Sequence, residues 1–335
     1  MTIVESTFSR DEWNSTAASF LDLSLIQTWG YGEAKSQRGP RKIRRLLFKD
    51  SEKLAGLCQC MIREIPFTNR GVVWINRGPL WRKNSLDDAL RLLEMLRALR
   101  EYWVTDRSMY LLVAPPLYKD EIGTELLSGY GFAPSHRSEE WASARIALDL
   151  PLEELRRNLD KKWRNCLGKA ERSGLLCRSG TEDSIVEYIL REYAGILRHK
   201  KLRGAADPDL LRGYQTLSGE HNKLRGFIAY NGDEGLGGVL VARYGNTCEY
   251  IVGAVTDKGK SLDAGNFLLW QAISSMKGLG CKWFDLGGMH PVKTPAGIFH
   301  FKNGLGGQPY SLVGNFAAYE ENALNRIISW RLEHM

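Results

Sequence analysis

A short stretch in the C-terminal third of the chain brings together residue types that can do chemistry. The apolar run at residues 282–289 (KWFDLGGM) contains Asp285 and turns through Gly287 and Gly288, and the chain returns a little later with Phe301 and Lys302. Paired glycines permit positive φ and let a ligand approach the main chain closely. A lysine after an aromatic run can be held partly desolvated, where its charge interacts strongly. The same pattern is also typical of a tight strand-to-helix turn with a solvated lysine, so the stretch alone leaves both interpretations open.

The composition indicates a folded protein with an anionic partner. At 335 residues, with 43% hydrophobic and 10% aromatic residues, the chain is long and apolar enough for one large or two modest packed domains. The formal charge of +7 and a pI near 9.0 fit a nucleic acid or a nucleotide-bearing substrate.

Several sequence features favour a cytoplasmic protein. The N-terminus has no basic segment followed by an apolar core, and no run approaches the roughly 18 apolar residues of a membrane span. The six cysteines are scattered and show neither metal-ligand spacing nor a small disulfide framework. We therefore expect reduced, buried thiols and no metal.

The order of predicted elements repeats between the two halves of the chain. In each half a polar turn leads into a strand rich in small residues, followed by a further strand, a long amphipathic helix and one buried strand. The predicted strands are 42–50, 54–65, 72–79 and 110–116 in the first half, and 223–230, 235–244, 247–255 and 282–286 in the second; the long helices are 85–103 and 264–279. Strands followed by helix and strand predict an α/β fold with helices packed on a mixed sheet, in two similar domains joined near residue 150.

Six short segments are spread in order across nearly the whole chain: 27–35 (QTWGYGEAK), 77–79 (RGP), 161–174 (KKWRNCLGKAERSG), 266–272 (NFLLWQA), 284–288 (FDLGG) and 301–302 (FK). In their motifs and their order these segments resemble the FemABX family of aminoacyl-tRNA-dependent peptidyltransferases. The resemblance implies two tandem GNAT-like domains (the fold of GCN5-related N-acetyltransferases), each a mixed, mostly antiparallel sheet flanked by helices. These domains would span residues 1–150 and 151–316, with a C-terminal helix at 317–335 packing back on the first. The chain is similar to the compact members that lack a coiled-coil arm.

The resemblance also implies roles for individual residues. Lys302 would stabilise the oxyanion that forms when an amine attacks an aminoacyl ester; the alternative is an ion pair between Lys302 and Asp285 across the turn. Asp285 is expected to order this turn, and either His290 or His300 could accept a proton or be a bystander.

The resemblance extends to substrate and tRNA contacts. Substrate would contact Lys35, Arg77, Arg203 and His300, and tRNA phosphates would contact the basic helix at Lys161, Lys162, Arg164, Lys169 and Arg172. Aminoacyl-tRNA would be a co-substrate and no cofactor is expected. The acceptor stays open between a UDP-linked muramyl peptide and a small amine of a natural-product pathway, as does the oligomeric state.

Two other functions fit the same scaffold. Single GNAT domains bind acyl-CoA through a loop that directs backbone N–H groups at the pyrophosphate. The equivalent stretch here is 256–266 (TDKGKSLDAGN), in which Asp263 falls where the first glycine belongs, while Gly265 survives and Lys258 and Lys260 could still bind phosphate. This argues against acyl-CoA without excluding it, and a non-catalytic binding protein is the third possibility.

Overall fold

Apolar strands build one seven-stranded sheet in each half of the chain. The structure is a computed structural model, and it describes residues 1–84, 89–121, 125–135, 140–199 and 206–334. The chain divides into two units: unit 1 is Met1–Trp141 with Ser311–Met335, and unit 2 is Ala142–Tyr310.

The strands, in chain order, are β1 (Thr2–Glu5), β2 (Lys42–Asp50), β3 (Lys53–Glu64), β4 (Gly71–Asn76), β5 (Tyr110–Ala114), β6 (Ala133–Pro134), β7 (Trp141–Ala147), β8 (Leu176–Gly180), β9 (Arg225–Asn231), β10 (Glu234–Tyr244), β11 (Thr247–Val255), β12 (Trp283–Asp285), β13 (Gln308–Leu312) and β14 (Phe316–Ala318). The first sheet has the order β1-β2-β3-β4-β5-β14-β6, and the second has the order β13-β7-β12-β11-β10-β9-β8.

The α-helices are α1 (Arg10–Ala17), α2 (Trp29–Ser36), α3 (Ala89–Arg100), α4 (Glu125–Gly129), α5 (Leu152–Asn158), α6 (Lys161–Arg172), α7 (Asp183–His199), α8 (Pro208–Leu217), α9 (Asp257–Ser261), α10 (Ala264–Gly278), α11 (Ala296–Asn303) and α12 (Ala323–His334). A π-helical turn, Glu101–Thr105, extends α3. No described helix has the length and apolar character needed to cross a bilayer.

The two sheets repeat one topological unit, as the sequence predicted. In unit 1 the parallel pair β4 and β5 is joined through α3, and in unit 2 the parallel pair β11 and β12 is joined through α10. Parallel neighbours need a crossover connection, usually a helix, whereas hairpins suffice for the antiparallel pairs around them. The predicted α/β class, with two mostly antiparallel sheets flanked by helices, is confirmed.

Strand β7 belongs to the second sheet although the sequence placed it with the first half. It pairs antiparallel with β12, with Ala147 opposite Trp283 and Arg145 opposite Asp285, so unit 2 begins at Ala142 and not near residue 150. At the other end of the chain, β14 pairs with β5, and α12 packs Ile328 against Tyr110 of unit 1. A strand joins the sheet of its pairing partner, and the alternation of apolar and polar residues along the strand does not identify that partner.

The first two matching segments, 27–35 and 77–79, meet at a buried amide in unit 1. The Gln27 Nε2 donates to the Asn76 carbonyl oxygen at 2.7 Å, and the Gln59 backbone N–H donates to Gln27 Oε1 at 2.7 Å. Gly32 and Gly78 lie against the Gln59 and Gln27 side chains so closely that a Cβ would approach them within 3 Å. These segments therefore have a packing role, because buried polar groups need their partners.

A glycine in β3 gives a test of the unit 1 packing. A Cβ on Gly56 would lie 2.4 Å from the Leu80 carbonyl oxygen, so we expect Gly56→Ala to lower the free energy of unfolding by about 1–3 kcal/mol, as overpacking does. Urea unfolding measures the change. Gly278→Ala, in a helix and with no other atom within 4 Å, is the control and should not destabilise. Equal midpoints for both variants would contradict the packing described here.

Candidate active site

Strands β11 and β12 separate directly after a pair of acidic residues. Their parallel pairing ends with Glu249 opposite Asp285, whereas β11 continues to Val255 along β10. Beyond Asp285 the chain stays beside β7, because the Leu286 and Met289 N–H groups donate to the carbonyl oxygens of Ala144 and Ala142 at 2.9 and 2.7 Å.

The Asp285 carboxylate is buried and fully engaged. Oδ1 accepts from Ser143 Oγ at 2.6 Å and from the Gly287 N–H at 2.9 Å. Oδ2 accepts from Tyr310 Oη at 2.6 Å and from Arg145 Nε at 3.1 Å. A carboxylate with four donors orders the surrounding turn, and it has little capacity left to accept a proton from a substrate.

Gly287 makes a turn that a residue with a side chain could not make here. Its φ is 64°, in the left-handed region, and a Cβ would lie 2.4 Å from the Tyr250 carbonyl oxygen. The left-handed conformation and the close approach both require glycine.

The side-chain amine of Lys302 lies buried against this turn. Lys302 is 7% exposed, and its Nζ donates to the carbonyl oxygens of Gly287 and Gly288 at 3.2 and 3.1 Å. The Nζ also lies 5.2 Å from the centre of the Tyr250 ring. Burial lowers the pKa of Lys302 to about 8, although the carboxylates of Glu249 and Asp285 act to raise it.

Two anionic and two cationic side chains form the interior of the site. Asp285 forms an ion pair with Arg145, and buried Glu249 accepts a hydrogen bond from Tyr244 Oη at 2.9 Å. Among the described residues no ion pair joins Lys302 to Asp285, so the lysine donates to backbone carbonyl oxygens in place of the alternative ion pair across the turn. Burial and the nearby Glu249 charge raise the pKa of Tyr244.

Helix α6 holds the C-terminal end of the lysine-bearing helix α11. Trp163 Nε1 donates to the Phe301 carbonyl oxygen at 3.0 Å, and the Asp160 N–H donates to the Gly304 carbonyl oxygen at 2.9 Å. Gly304 packs directly on the Trp163 indole. The basic helix therefore also fixes the position of Lys302.

The two candidate histidines differ in their surroundings. His290 lies in the turn after Gly288, and its Nδ1 accepts hydrogen bonds from backbone N–H groups of that turn. His300 is exposed on α11 and has an edge contact with the Phe299 ring. Both lie on the segment that carries Lys302, but of the two only His290 has its acceptor nitrogen engaged by the backbone.

The candidate substrate residues outside this segment lie in unit 1 or outside the described residues. Lys35 is in the last turn of α2, 5.7 Å from the Tyr31 ring, and Arg77 stacks 4.0 Å from the Trp141 ring with a φ of 51°. Arg203 lies outside the described residues. A surface groove of about 670 Å³ in unit 1 has none of the candidate site residues in its lining, which is Thr68, Asn69, Arg70, Asp106, Arg107, Ser108 and Leu324.

Two of the five candidate cations of α6 have partners within the protein, and the other three point into solvent. Trp163, Leu167 and Ala170 face the core, so the charged positions lie on the other side of the helix. Lys169 forms an ion pair with Asp263 at 2.9 Å, and Arg164 donates to the Arg157 carbonyl oxygen. The other three are exposed: Lys161, Lys162 and Arg172.

Asp263 has a left-handed backbone conformation, which is most common for glycine. Its φ of 56° and ψ of 31° are left-handed, at the residue before α10. Its carboxylate is directed to Lys169, whose Nζ also donates to the Ser261 carbonyl oxygen at 2.8 Å. A carboxylate therefore lies at the helix end where an acyl-CoA pyrophosphate would be bound.

Sequence reasoning missed several residues that build this site. Ser143, Arg145, Glu249 and Trp163 were not singled out. The one available signal is the alternation that puts Ser143 and Arg145 on the same face of β7; their contact with Asp285 depends on strand pairing.

The buried lysine makes stability depend on pH. The folded pKa of Lys302 is about 8 and that of an unfolded lysine is about 10.4, so the unfolded chain binds more protons between these values. We therefore expect the free energy of unfolding to rise with pH across this window, by up to about 3 kcal/mol from this group. Urea unfolding of the wild type and of Lys302→Met at each pH isolates the effect.

The two lysine variants should differ in how their free energy of unfolding depends on pH. Lys302→Met should lack this rise, whereas Lys282→Met, at an exposed lysine, should retain it. Parallel pH curves for the wild type and Lys302→Met would show that Lys302 is not desolvated in the folded protein.

Comparison with known proteins agrees with this fold. The model of an acetyltransferase (GNAT) domain family matches residues 154–303. The crystal structure of FemX matches over 97% of this chain and all of that chain, with a TM-score of 0.81 at 14% identity. No match was found among curated proteins.

Two further solved structures share the fold at lower similarity. One is a protein of unknown function from Bacteroides thetaiotaomicron, with a TM-score of 0.56, 12% identity, and coverage of 95% of this chain and 100% of that one. The other is the C-terminal domain of a putative lysylphosphatidylglycerol synthetase from Agrobacterium fabrum, with a TM-score of 0.53, 13% identity, and coverage of 95% and 96%. The chain therefore has the two-domain, GNAT-like fold of FemX, and the match of residues 154–303 to a GNAT acetyltransferase domain supports an acyltransferase activity.

Proposed function

We propose that this protein transfers an amino acid from aminoacyl-tRNA to an amine of an acceptor, forming an amide bond. The observation that carries the proposal is the buried Lys302 ammonium, held by two backbone carbonyl oxygens where strands β11 and β12 separate. Two of its three hydrogens are engaged by acceptors in the part of the chain that the structure describes, which leaves the third for a ligand.

The reaction needs positive charge at one oxygen. When an amine attacks the ester carbonyl carbon, a C–N bond forms and the carbonyl oxygen becomes an oxyanion. The C–O bond to the tRNA ribose then breaks, and the ribose oxygen takes up a proton equivalent to the one that the amine loses. A fixed cation in a dry site stabilises the oxyanion more than water does, which is the role proposed for Lys302.

Two observations favour aminoacyl-tRNA as the donor. The first is the exposed face of α6, on which Lys161, Lys162 and Arg172 can contact phosphates. The second is the Asp263 carboxylate at the start of α10, which opposes a bound pyrophosphate. The family resemblance in the sequence implies the same donor.

Acyl-CoA is the second candidate donor. The match of residues 154–303 to an acetyltransferase family model favours it, and Lys258 and Lys260 flank the same loop. Lys258 pairs with Glu234 and Lys260 with Asp257, however, so binding a pyrophosphate there would require these pairs to open.

The acceptor and the location are further parts of the proposal. A peptidoglycan precursor peptide linked to UDP, or an amine of a natural-product pathway, would be met in the cytoplasm. Lys35 and Arg77 are the proposed contacts for its anionic groups, since lysine and arginine both recognise phosphate and carboxylate.

A transfer assay tests the donor directly. Purified protein is incubated with a mixture of charged tRNAs, or with acyl-CoA, and an amine acceptor pool that includes a UDP-linked muramyl peptide. We expect amide product with charged tRNA that disappears after ribonuclease treatment. Product that forms from acyl-CoA and is insensitive to ribonuclease would establish acyl-CoA as the donor. If neither donor gives product, the remaining possibility is a non-catalytic binding protein.

Removing the buried cation should slow catalysis strongly. Loss of one oxyanion donor lowers kcat by about 10²- to 10³-fold, and we expect Lys302→Met to fall in this range. Lys282→Met, at an exposed lysine just before β12, is the matched control and should retain full rate. Undiminished turnover of Lys302→Met in the same assay would refute the role proposed for Lys302.

The exposed α6 cations should set the salt dependence of tRNA binding. In the double variant Lys161→Gln/Lys162→Gln, the slope of log affinity against log salt concentration should become shallower. The expected change is about 0.7 to 0.9 for each phosphate that the protein no longer neutralises. Fluorescence anisotropy with labelled tRNA over a salt series measures the slope. Arg326→Gln, at an exposed position of α12 in unit 1, is the control; an unchanged slope in the double variant would mean that tRNA binds elsewhere.

A further inference from the structure

A histidine side chain closes the turn between Gly288 and helix α11. Nδ1 of His290 accepts from the backbone N–H groups of Val292 and Lys293, each at 3.1 Å. The His290 N–H donates to Thr294 Oγ1 at 2.9 Å, and the Thr294 N–H donates to the His290 carbonyl oxygen at 3.0 Å. Four hydrogen bonds therefore tie residues 290–294 into one closed turn.

These contacts determine what the imidazole can do. A neutral imidazole has one acceptor nitrogen, and the other nitrogen carries the hydrogen. In His290 the acceptor nitrogen faces two backbone donors, so it acts as the side-chain oxygen of an asparagine does in an Asx-turn. A general base needs a free lone pair directed at the substrate, and the backbone already uses the one on Nδ1.

The turn connects the two parts that hold the buried ammonium. On its N-terminal side, Gly287 and Gly288 supply the carbonyl oxygens, and the Met289 N–H anchors this segment to the Ala142 carbonyl oxygen at 2.7 Å. On its C-terminal side, Pro295 leads into α11, which carries Lys302. The conformation of the turn therefore sets where α11 begins relative to the carbonyl oxygens.

We propose that His290 is a positioning residue for Lys302, which acts by closing this turn and does not take a proton from the substrate. The neighbouring Thr294 has the same role. The effect on transfer rests on the proposed function, whereas the effect on the lysine can be measured without a donor or an acceptor.

Two matched pairs of variants test the proposal. Asparagine can accept the same backbone hydrogen bonds but cannot act as a base, so His290→Asn should retain most of the transfer activity and His290→Ala should lose it by about tenfold or more, as for misplaced catalytic groups. Thr294→Ser keeps the hydroxyl acceptor and Thr294→Val removes it, so this pair should behave in the same way. If His290→Ala does not fold, as judged by circular dichroism, the Thr294 pair decides.

The second readout is the titration of Lys302 itself. NMR of protein labelled with ¹³C and ¹⁵N at lysine, with the Lys302 signal assigned through Lys302→Arg, measures its pKa, and we expect a value of about 8 in the wild type. We expect this pKa to stay in His290→Asn and Thr294→Ser, and to move towards the ordinary value of about 10.4 in His290→Ala and Thr294→Val as water reaches the amine.

Two outcomes would overturn the proposal. If His290→Asn loses as much activity as His290→Ala while Lys302 titrates as in the wild type, His290 is a proton acceptor. If Lys302 titrates unchanged in both His290→Ala and Thr294→Val, the turn does not position it. Should the wild type transfer no amino acid from any donor, the proposed function fails but the lysine titration still decides this inference.

Discussion

The site depends on keeping one ammonium group out of water. Moving a charged amine from water into a protein interior costs several kcal/mol unless other groups replace its hydration. Here the carbonyl oxygens of Gly287 and Gly288 replace part of that hydration, and the Tyr250 ring and the nearby carboxylates add favourable electrostatics. The pKa of Lys302 still falls to about 8, so the compensation is incomplete.

The conformation of the turn explains why backbone carbonyl oxygens replace part of the hydration of Lys302. Asp285 draws the Gly287 N–H inward, and the left-handed conformation of Gly287 helps aim the carbonyl oxygens at the lysine. Arg145 neutralises Asp285 directly, and Lys302 balances the charge of Glu249 through space. The charges of these four side chains thus balance, while one hydrogen of the ammonium has no acceptor among the described residues.

The sequence predicted the repeated architecture. The run at 282–289 indicated a strand that ends in a glycine turn, and the structure has this feature. The same stretch left a desolvated and a solvated Lys302 open, and the structure buries the lysine. Ser143, Arg145 and Glu249 could not be predicted, because they reach Asp285 through pairing between strands β7, β12 and β11. The sheet membership of β7 was missed for the same reason. The resemblance supplied candidate roles, which the fold alone does not test.

The position of β7 in the second sheet has a consequence for biosynthesis. The contacts of Asp285 with Ser143 and Arg145 join residues more than 100 positions apart, and Tyr310 completes them from further along the chain. Contacts of such long sequence separation form slowly, because much chain entropy is lost before they are made. A nascent chain that ends before Tyr310 therefore lacks a donor that Asp285 has in the folded protein, and the charge cluster is completed only after nearly all of unit 2 has been synthesised.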